Sequence, residues 1–294
     1  MWNIFWSVNK LIYKLLGPDL STIVSQTGLG KFVVQVLKGR PGRMQIYSGK
    51  NGIRLNLTTH EAEYFGFFHF GSMNLYETSL INRILHRGDI FIDVGTYVDG
   101  WHSIVAGKAV GKTGHVYAFE PIPDFYLRAK ENFALNNIFN VTLEQMAVSK
   151  RDGNSIFYNN SASSSFYAKH ARHGKTVKLK KIRVRTTKLD TYVKNHNVKK
   201  VRLIKIDAEG AEMDVLEGAL GLLRRNDAPD LIIEVDDRYL RSGGSSEAEL
   251  LSYLTKLGYK AYSLVEGGLG VYQTKASGRQ LFNVFFSKHT YFRQ

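Results

Sequence analysis

Gly88-Asp89-Ile90-Phe91-Ile92-Asp93-Val94-Gly95-Thr96-Tyr97-Val98-Asp99-Gly100, followed further on by Val116-Tyr117-Ala118-Phe119-Glu120-Pro121, decides how this chain folds. An apolar run that ends in Asp93-Val94-Gly95 reads as a buried strand entering a tight turn. The second run, ending in Glu120, reads as its neighbour one crossover later. Glu120 follows Gly100 by 20 residues, about the separation that a strand, turn, helix and strand impose. Such a unit opens a nucleotide-shaped pocket at the carboxyl edge of a parallel sheet. Taken singly, Asp93 reads as a helix cap, Glu120 as the residue before a proline turn, and each glycine as loop punctuation. In this order and spacing they read as a binding site.

The turn also says what the site would hold. A pyrophosphate needs glycines that let backbone N–H groups approach a dianion, whereas Gly95 to Gly100 is flanked by Asp93 and contains Asp99. Two carboxylates there repel a phosphate and suit a cation that carries a ribose. S-adenosylmethionine fits this description, with a sulfonium, an ammonium and no phosphate. Glu120 then accepts from the ribose hydroxyls, in charge-assisted hydrogen bonds of about 1.5–3 kcal/mol each. Two other readings stand beside this one. A dinucleotide-dependent oxidoreductase would share the first two strands. A non-catalytic protein that binds anions or a membrane surface would use the same fold without a cofactor.

The bulk numbers set limits. With 294 residues, 44% of them hydrophobic, the chain can bury one large core with a small appendage. Lys and Arg outnumber Asp and Glu by 40 to 26, a net charge of +14 that points to an anionic partner. Nine of these cations lie between Lys169 and Lys188 with no acid among them. The absence of cysteine excludes disulfides, thiolate metal sites and a cysteine nucleophile. No apolar stretch approaches the roughly 20 residues that span a bilayer. Lys10 and Lys14 stand inside the first segment, which does not read as a signal peptide. The expectation is a cytoplasmic protein.

Residues 1–75 read as an extension. Trp2, Phe5, Trp6, Ile12, Leu15 and Leu16 form an aromatic amphipathic helix that either docks on a protein surface or touches a membrane peripherally through residues 1–17. A hairpin, Met44 to Tyr47 and Ile53 to Leu57, and a ring-rich segment from Tyr64 to Phe70 follow. Residues 76–294 read as the main domain: a doubly covered α/β sheet of seven strands. A helix from Glu77 to His86 precedes the first strand, Asp124 is expected to cap a helix running to Leu135, and Val141 to Gln145 is the third strand. A basic insertion at about 153–188 holds a serine-rich stretch, Ser161 to Ser165, too small and polar to pack, and two strands, Val177 to Leu179 and Ile182 to Val184. Both strands alternate apolar residues with Lys or Arg, which puts the cations on one face. Val201 to Ile206 then ends in Asp207-Ala208-Glu209-Gly210-Ala211-Glu212. One helix with Val215, Leu216, Leu220 and Leu223 inward leads to Leu231 to Val235, with Glu234 inside it. Strands near Tyr259 to Val265 and Phe282 to Phe286 complete the sheet.

The run Tyr76-Glu77, Arg87 to Gly95, Ala118-Phe119-Glu120-Pro121, Thr187-Lys188-Leu189-Asp190 and Ile204-Lys205-Ile206-Asp207-Ala208-Glu209-Gly210-Ala211-Glu212 resembles the FkbM family of S-adenosylmethionine-dependent methyltransferases. The resemblance covers about residues 76 to 286. It implies the class I methyltransferase fold, a Rossmann-like, mostly parallel sheet with a reversed last strand and helices on both faces. It also implies methylation of oxygen, often on sugars or glycan-bearing molecules. By position it gives a cofactor role to Asp93, Gly95, Tyr97 and Glu120, with Ala147 near the adenine. The family's Ala-Asn-x-Gly loop is replaced here by Thr96-Tyr97-Val98-Asp99, with the next glycine delayed to Gly100, which joins the expected cofactor contacts.

Methyl transfer to a hydroxyl needs a group that removes its proton during attack, worth roughly 100- to 10,000-fold. Asp207 and Glu209 are the candidates, ahead of His102. The alternative for Asp207 is a cofactor or loop contact. Glu234 with Asp207 also has the oxygens for a hard cation, though nothing requires one, and no metal is assigned. The partner expected is an anionic or glycan-type acceptor, ahead of a nucleic acid.

Overall fold

The computed structural model describes residues 45–49, 52–57, 73–159, 164–165, 180–265, 267–272 and 282–289. The chain divides into two compact units, Met1–Met73 and Asn74–Gln294. In the first, β1 (Gln45–Ser48) and β2 (Arg54–Leu57) pair antiparallel with Ser48 opposite Arg54. The turn is closed by the Gly49 N–H donating to the Ile53 carbonyl at 2.8 Å. The aromatic helix expected over residues 2–16 and the ring-rich segment 64–70 lie outside the described residues.

The second unit opens with α1 (Leu75–Ile84), β3 (Ile90–Val94), α2 (Trp101–Val110), β4 (His115–Phe119), α3 (Pro123–Leu135) and β5 (Val141–Glu144). Asp124 does not cap α3. Pro123 takes the first helical position, where its missing N–H costs nothing, and Asp124 falls in the first turn. Next come β6 (Ala147–Val148), β7 (Gly153–Asn159), β8 (Ser164–Ser165) and β9 (Lys180–Thr187). The chain continues through α4 (Leu189–Asn195), β10 (Leu203–Ile206), α5 (Glu212–Glu217), α6 (Leu220–Leu223), β11 (Asp230–Val235) and α7 (Asp237–Ser242). It ends with α8 (Glu247–Lys256), β12 (Lys260–Val265), β13 (Gly268–Val271) and β14 (Phe282–Ser287).

Among the described residues the main sheet has eight strands, in the order β13-β12-β14-β11-β10-β3-β4-β5. The strands from β11 to β5 run parallel, and β14 runs antiparallel between β11 and β12. This is the expected arrangement with its reversed last strand. The seven-strand expectation needs one correction, the short edge strand β13, antiparallel to β12. Its sequence, Gly268-Leu269-Gly270-Val271, is half glycine and carries no strand signal.

The central strands are buried on both faces, so both need cover. Ile92, Val94, Ile204, Ile206, Leu231, Ile233 and Val284 pack with Leu189, Leu216, Leu223, Leu240 and Leu254 of the later helices. The residues between them point the other way, toward α1 and α2. Ser103 of α2 reaches Asp93, and Asn283 of β14 donates to Glu77 of α1. The single helix expected after Asp207 is broken at Gly218. A Cβ there would lie 2.1 Å from the Ser149 carbonyl oxygen. That close approach requires glycine in the turn between α5 and α6.

The insertion forms its own sheet, β6-β9-β7-β8. The expected strand Ile182 to Val184 is the middle of β9, while Val177 to Leu179 lies outside the described residues. Ser164 and Ser165 form β8, which pairs with Asn159 and Tyr158 of β7. Among the described residues no helix is long and apolar enough to cross a membrane.

Candidate functional site

The turn after β3 is tied to the end of β4. The Gly95 and Thr96 N–H groups both donate to the Phe119 carbonyl, at 3.0 and 3.1 Å. Tyr97 adopts a left-handed conformation, φ 60°, and its N–H donates to Glu120 Oε2 at 3.0 Å. The Ile122 N–H donates to Glu120 Oε1 at 2.8 Å. Glu120 is thus fixed from both sides, and each oxygen keeps a further lone pair for a ligand. Burial pushes its carboxyl up to about 7, against those two backbone hydrogen bonds. The Tyr97 ring meets Phe125 edge-on at 5.0 Å.

Asp93 is buried beneath this turn. Its Oδ2 accepts from the Ser103 hydroxyl at 2.6 Å, so half of the carboxylate anchors α2. Burial raises it to about 6. Asp93 Oδ1 and Thr96 Oγ1 are buried without a hydrogen-bond partner. Asp99 does what Asp93 alone could have been expected to do: its Oδ1 accepts from the Trp101 N–H at 2.7 Å, at the start of α2. The two loop glycines serve packing. At Gly95, φ +85°, a Cβ would stand 1.9 Å from the Asp207 carbonyl oxygen, and at Gly100, φ +63°, 2.4 Å from the Phe133 ring. Gly100 therefore makes room for α3 against α2. Ala147 is buried with Ile122, Phe157 and Val184, next to the turn that holds Glu120.

The end of β10 lies beside β3. The Asp207 N–H donates to the Val94 carbonyl at 3.0 Å. Two residues earlier, Lys205 stands opposite Asp93 in the strand register. Its side chain is 1% exposed, and its Nζ lies 2.9 Å from Asp207 Oδ2. Where the sequence offered Asp207 and Glu234 to a hard cation, the structure places this ammonium. Burial alone would raise the Asp207 carboxyl, but the charge and hydrogen bond of Lys205, with a hydrogen bond from Glu234, hold it below its ordinary value. Burial and Lys205 together push His102 well below the usual histidine range. A ring so reluctant to be protonated is a poor acceptor for a hydroxyl proton. Glu209, φ 52°, sits in the loop between β10 and α5. That loop is held by Glu212 Oε1, which accepts from the Ala208 and Gly210 N–H groups at 3.0 and 3.1 Å.

Lys205 is the residue that sequence reasoning missed. The signal was there, a lone cation inside Ile204-Lys205-Ile206, where a buried strand should carry none.

The sequence profile of the methyltransferase FkbM domain matches residues 93–261, more than half of the chain and all of the strand ends just described. The chain belongs to the FkbM methyltransferase family. It is 28% identical over 170 residues to Methyltransferase 1 of Beauveria bassiana, covering 46% of this chain and 66% of that protein. It is 42% identical over 59 residues to a protein-L-isoaspartate O-methyltransferase of Ignicoccus hospitalis, covering 20% of this chain and 28% of that one. It thus spans less than two thirds of either relative. A crystal structure of an FkbM methyltransferase from Methylobacillus flagellatus superposes with a TM-score of 0.43 at 12% identity, over 76% of this chain and 52% of that one.

The cofactor that FkbM membership brings is S-adenosylmethionine, and the pocket's own chemistry fits it. The groups left without partners in the turn, Asp93 Oδ1 and Thr96 Oγ1, are oxygens able to accept, and Glu120 has acceptor capacity to spare. A buried polar atom left unpaired costs about 1–3 kcal/mol. A ligand rich in N–H and O–H donors, carrying positive charge, answers that need. Among the described residues, no group of three or more His, Asp or Glu side chains is arranged to hold a metal ion.

Proposed function

We propose that the protein transfers a methyl group from S-adenosylmethionine to a hydroxyl oxygen of an anionic sugar, glycan or glycolipid, with Asp207 taking the hydroxyl proton. The observation that carries this reading is the state of Asp207, a carboxylate kept ionised by Lys205 yet 31% exposed at the carboxyl edge of the sheet. Its neighbours Asp93, Glu120 and Glu212 are all pushed up to about 6 or 7 by burial. When bound, the cofactor supplies an electrophilic methyl carbon. Glu120 would hold the ribose hydroxyls through its two oxygens. Asp207 receives the acceptor's proton as the hydroxyl attacks, with Glu209 the next carboxylate along the same loop. The test is incubation with labelled donor and separated glycan, glycolipid and RNA fractions. Label in a sugar-bearing fraction supports the reading, and label confined to RNA overturns its acceptor class.

The charge assigned to the acceptor comes from β9. Lys181, Arg183 and Arg185 are exposed on one side of the strand, across from Tyr158, Ile156 and Asn154 of β7. On its other side, Val184 packs with Ile122, whose N–H holds Glu120, so the basic face lies one sheet away from the cofactor pocket. Replacing Lys181, Arg183 and Arg185 by Gln should raise the acceptor's KM severalfold at low salt and leave cofactor affinity unchanged. The effect should fade as salt rises, because attraction of this kind is screened over about 10 Å at 0.1 M. An unchanged KM at low salt would reduce this face to solvated surface.

A further inference from the structure

Glu234 takes no part in the reading above, yet it is the acid that meets Asp207. In β11 it stands one position past the Ile233–Ile206 pair, which sets it beside Asp207 across the strands, and opposite Asn283 of β14. Its residue is 8% exposed. Burial and the Asp207 charge beside it both raise the Glu234 carboxyl, so one of the two neighbours keeps a proton. Lys205 decides which. Its ammonium donates to Asp207 at 2.9 Å and holds the negative charge there, leaving the proton on Glu234. The other groups around Glu234 act in the same sense. Glu209 and Glu212, from the loop and helix after β10, are acids that disfavour a further charge. Asn283 is neutral and is itself bound to Glu77 of α1 at 2.5 Å, and Tyr239 of α7 brings a phenol near the pair. His102, which faces Asp207 from α2, is neutral.

We propose that Glu234 is a positioning residue working as a neutral acid, whose hydroxyl donates to Asp207 and, with Lys205, keeps that carboxylate ionised and aimed at the acceptor. This rests on the reading of Asp207 as proton acceptor. In the reaction, the acceptor's O–H bond breaks and a new O–H forms on Asp207, while Glu234 retains its own proton throughout.

Two measurements test it. The first is infrared spectroscopy of the cofactor-free protein at about pH 8.5, above the ranges of Asp93, Glu120 and Glu212. The parent should show a protonated-carboxyl band that Glu234→Gln lacks. The second compares turnover. Glu234→Gln, whose amide still donates, should stay within about threefold of the parent, while Glu234→Leu should lose about tenfold or more in kcat, the worth of one hydrogen bond to a charged group. In Glu234→Leu the acidic limb of the kcat profile should also move to higher pH, with cofactor affinity kept. Loss of no infrared band in Glu234→Gln overturns the proposal, as does a parent-like kcat and pH profile in Glu234→Leu. If the band is lost as expected but Asp207→Asn turns over normally, the proton is correctly placed on Glu234 and the catalytic reading of Asp207 fails instead.

Discussion

Lys205→Met should destabilise the protein by about 1–3 kcal/mol at pH 8, because it leaves buried Asp93 and partly exposed Asp207 without their cation. Lys205 is 1% exposed and stands beside both Asp93 and Asp207. Methionine matches its length and fits an apolar strand, so the deficit reads the charge rather than a cavity. The pH dependence has a definite sign. In the parent, the depressed Asp207 contributes stability that is present above its unfolded value of 3.8 and lost as pH falls through its lower folded value. Without Lys205, burial raises Asp207, and the folded state then loses stability as pH rises. The gap between variant and parent should therefore be larger at pH 8 than at pH 5 in urea denaturation with unchanged slope. Equal midpoints at pH 8 would mean that the ammonium does not hold this cluster together. The double variant Lys205→Met with Asp207→Asn should recover part of the loss, because the stranded charge is gone.

Asp207→Asn should lower turnover by about 100- to 10,000-fold while cofactor affinity changes by no more than a few-fold. The amide keeps the shape of the side chain and can still accept from Lys205, but it cannot take the hydroxyl proton. Single-turnover rates at saturating cofactor, beside calorimetric affinities, separate the two effects. A collapsed affinity with a normal single-turnover rate would make Asp207 a binding residue and move the search for the proton acceptor to Glu209.

The parallel core was legible because its strands are apolar runs that end in acids. Ile90 to Asp93, Val116 to Glu120 and Val201 to Asp207 each announce both a buried strand and the edge at which it stops. The residues of the site were legible as types and less so as roles. Asp99 sits in the loop where a ligand contact was expected, yet its oxygen goes to the backbone of α2. Gly100 fits the spacing of a ligand loop, yet the space it leaves belongs to Phe133, which lies 33 positions along the chain. The pairing of Lys205, Asp207 and Glu234 depends on the register of β10 against β11 and β3, which is set by the whole sheet and by no local pattern. The need for glycine at position 218 was hidden for the same reason, since the Ser149 carbonyl it accommodates lies far back along the chain, whereas edge strand β13 was hidden by its own glycines, its partner β12 being next to it in sequence.

The central claim is that the carboxyl-edge pocket binds S-adenosylmethionine with Glu120 as the ribose acceptor. Calorimetric titration of the whole chain with this cofactor at pH 8 and pH 6, beside Glu120→Ala, tests it most directly. Burial holds Glu120 at about 7 in the free protein, and a cationic ligand whose hydroxyls donate to it favours the ionised form. Below that value binding must expel a proton, so affinity should fall by up to about tenfold per pH unit. The expected result is one equivalent bound at pH 8, weaker binding at pH 6, and at least about tenfold weaker binding in Glu120→Ala with its pH dependence flattened. No binding by the parent at pH 8, or an affinity that neither pH nor Glu120→Ala alters, would contradict it.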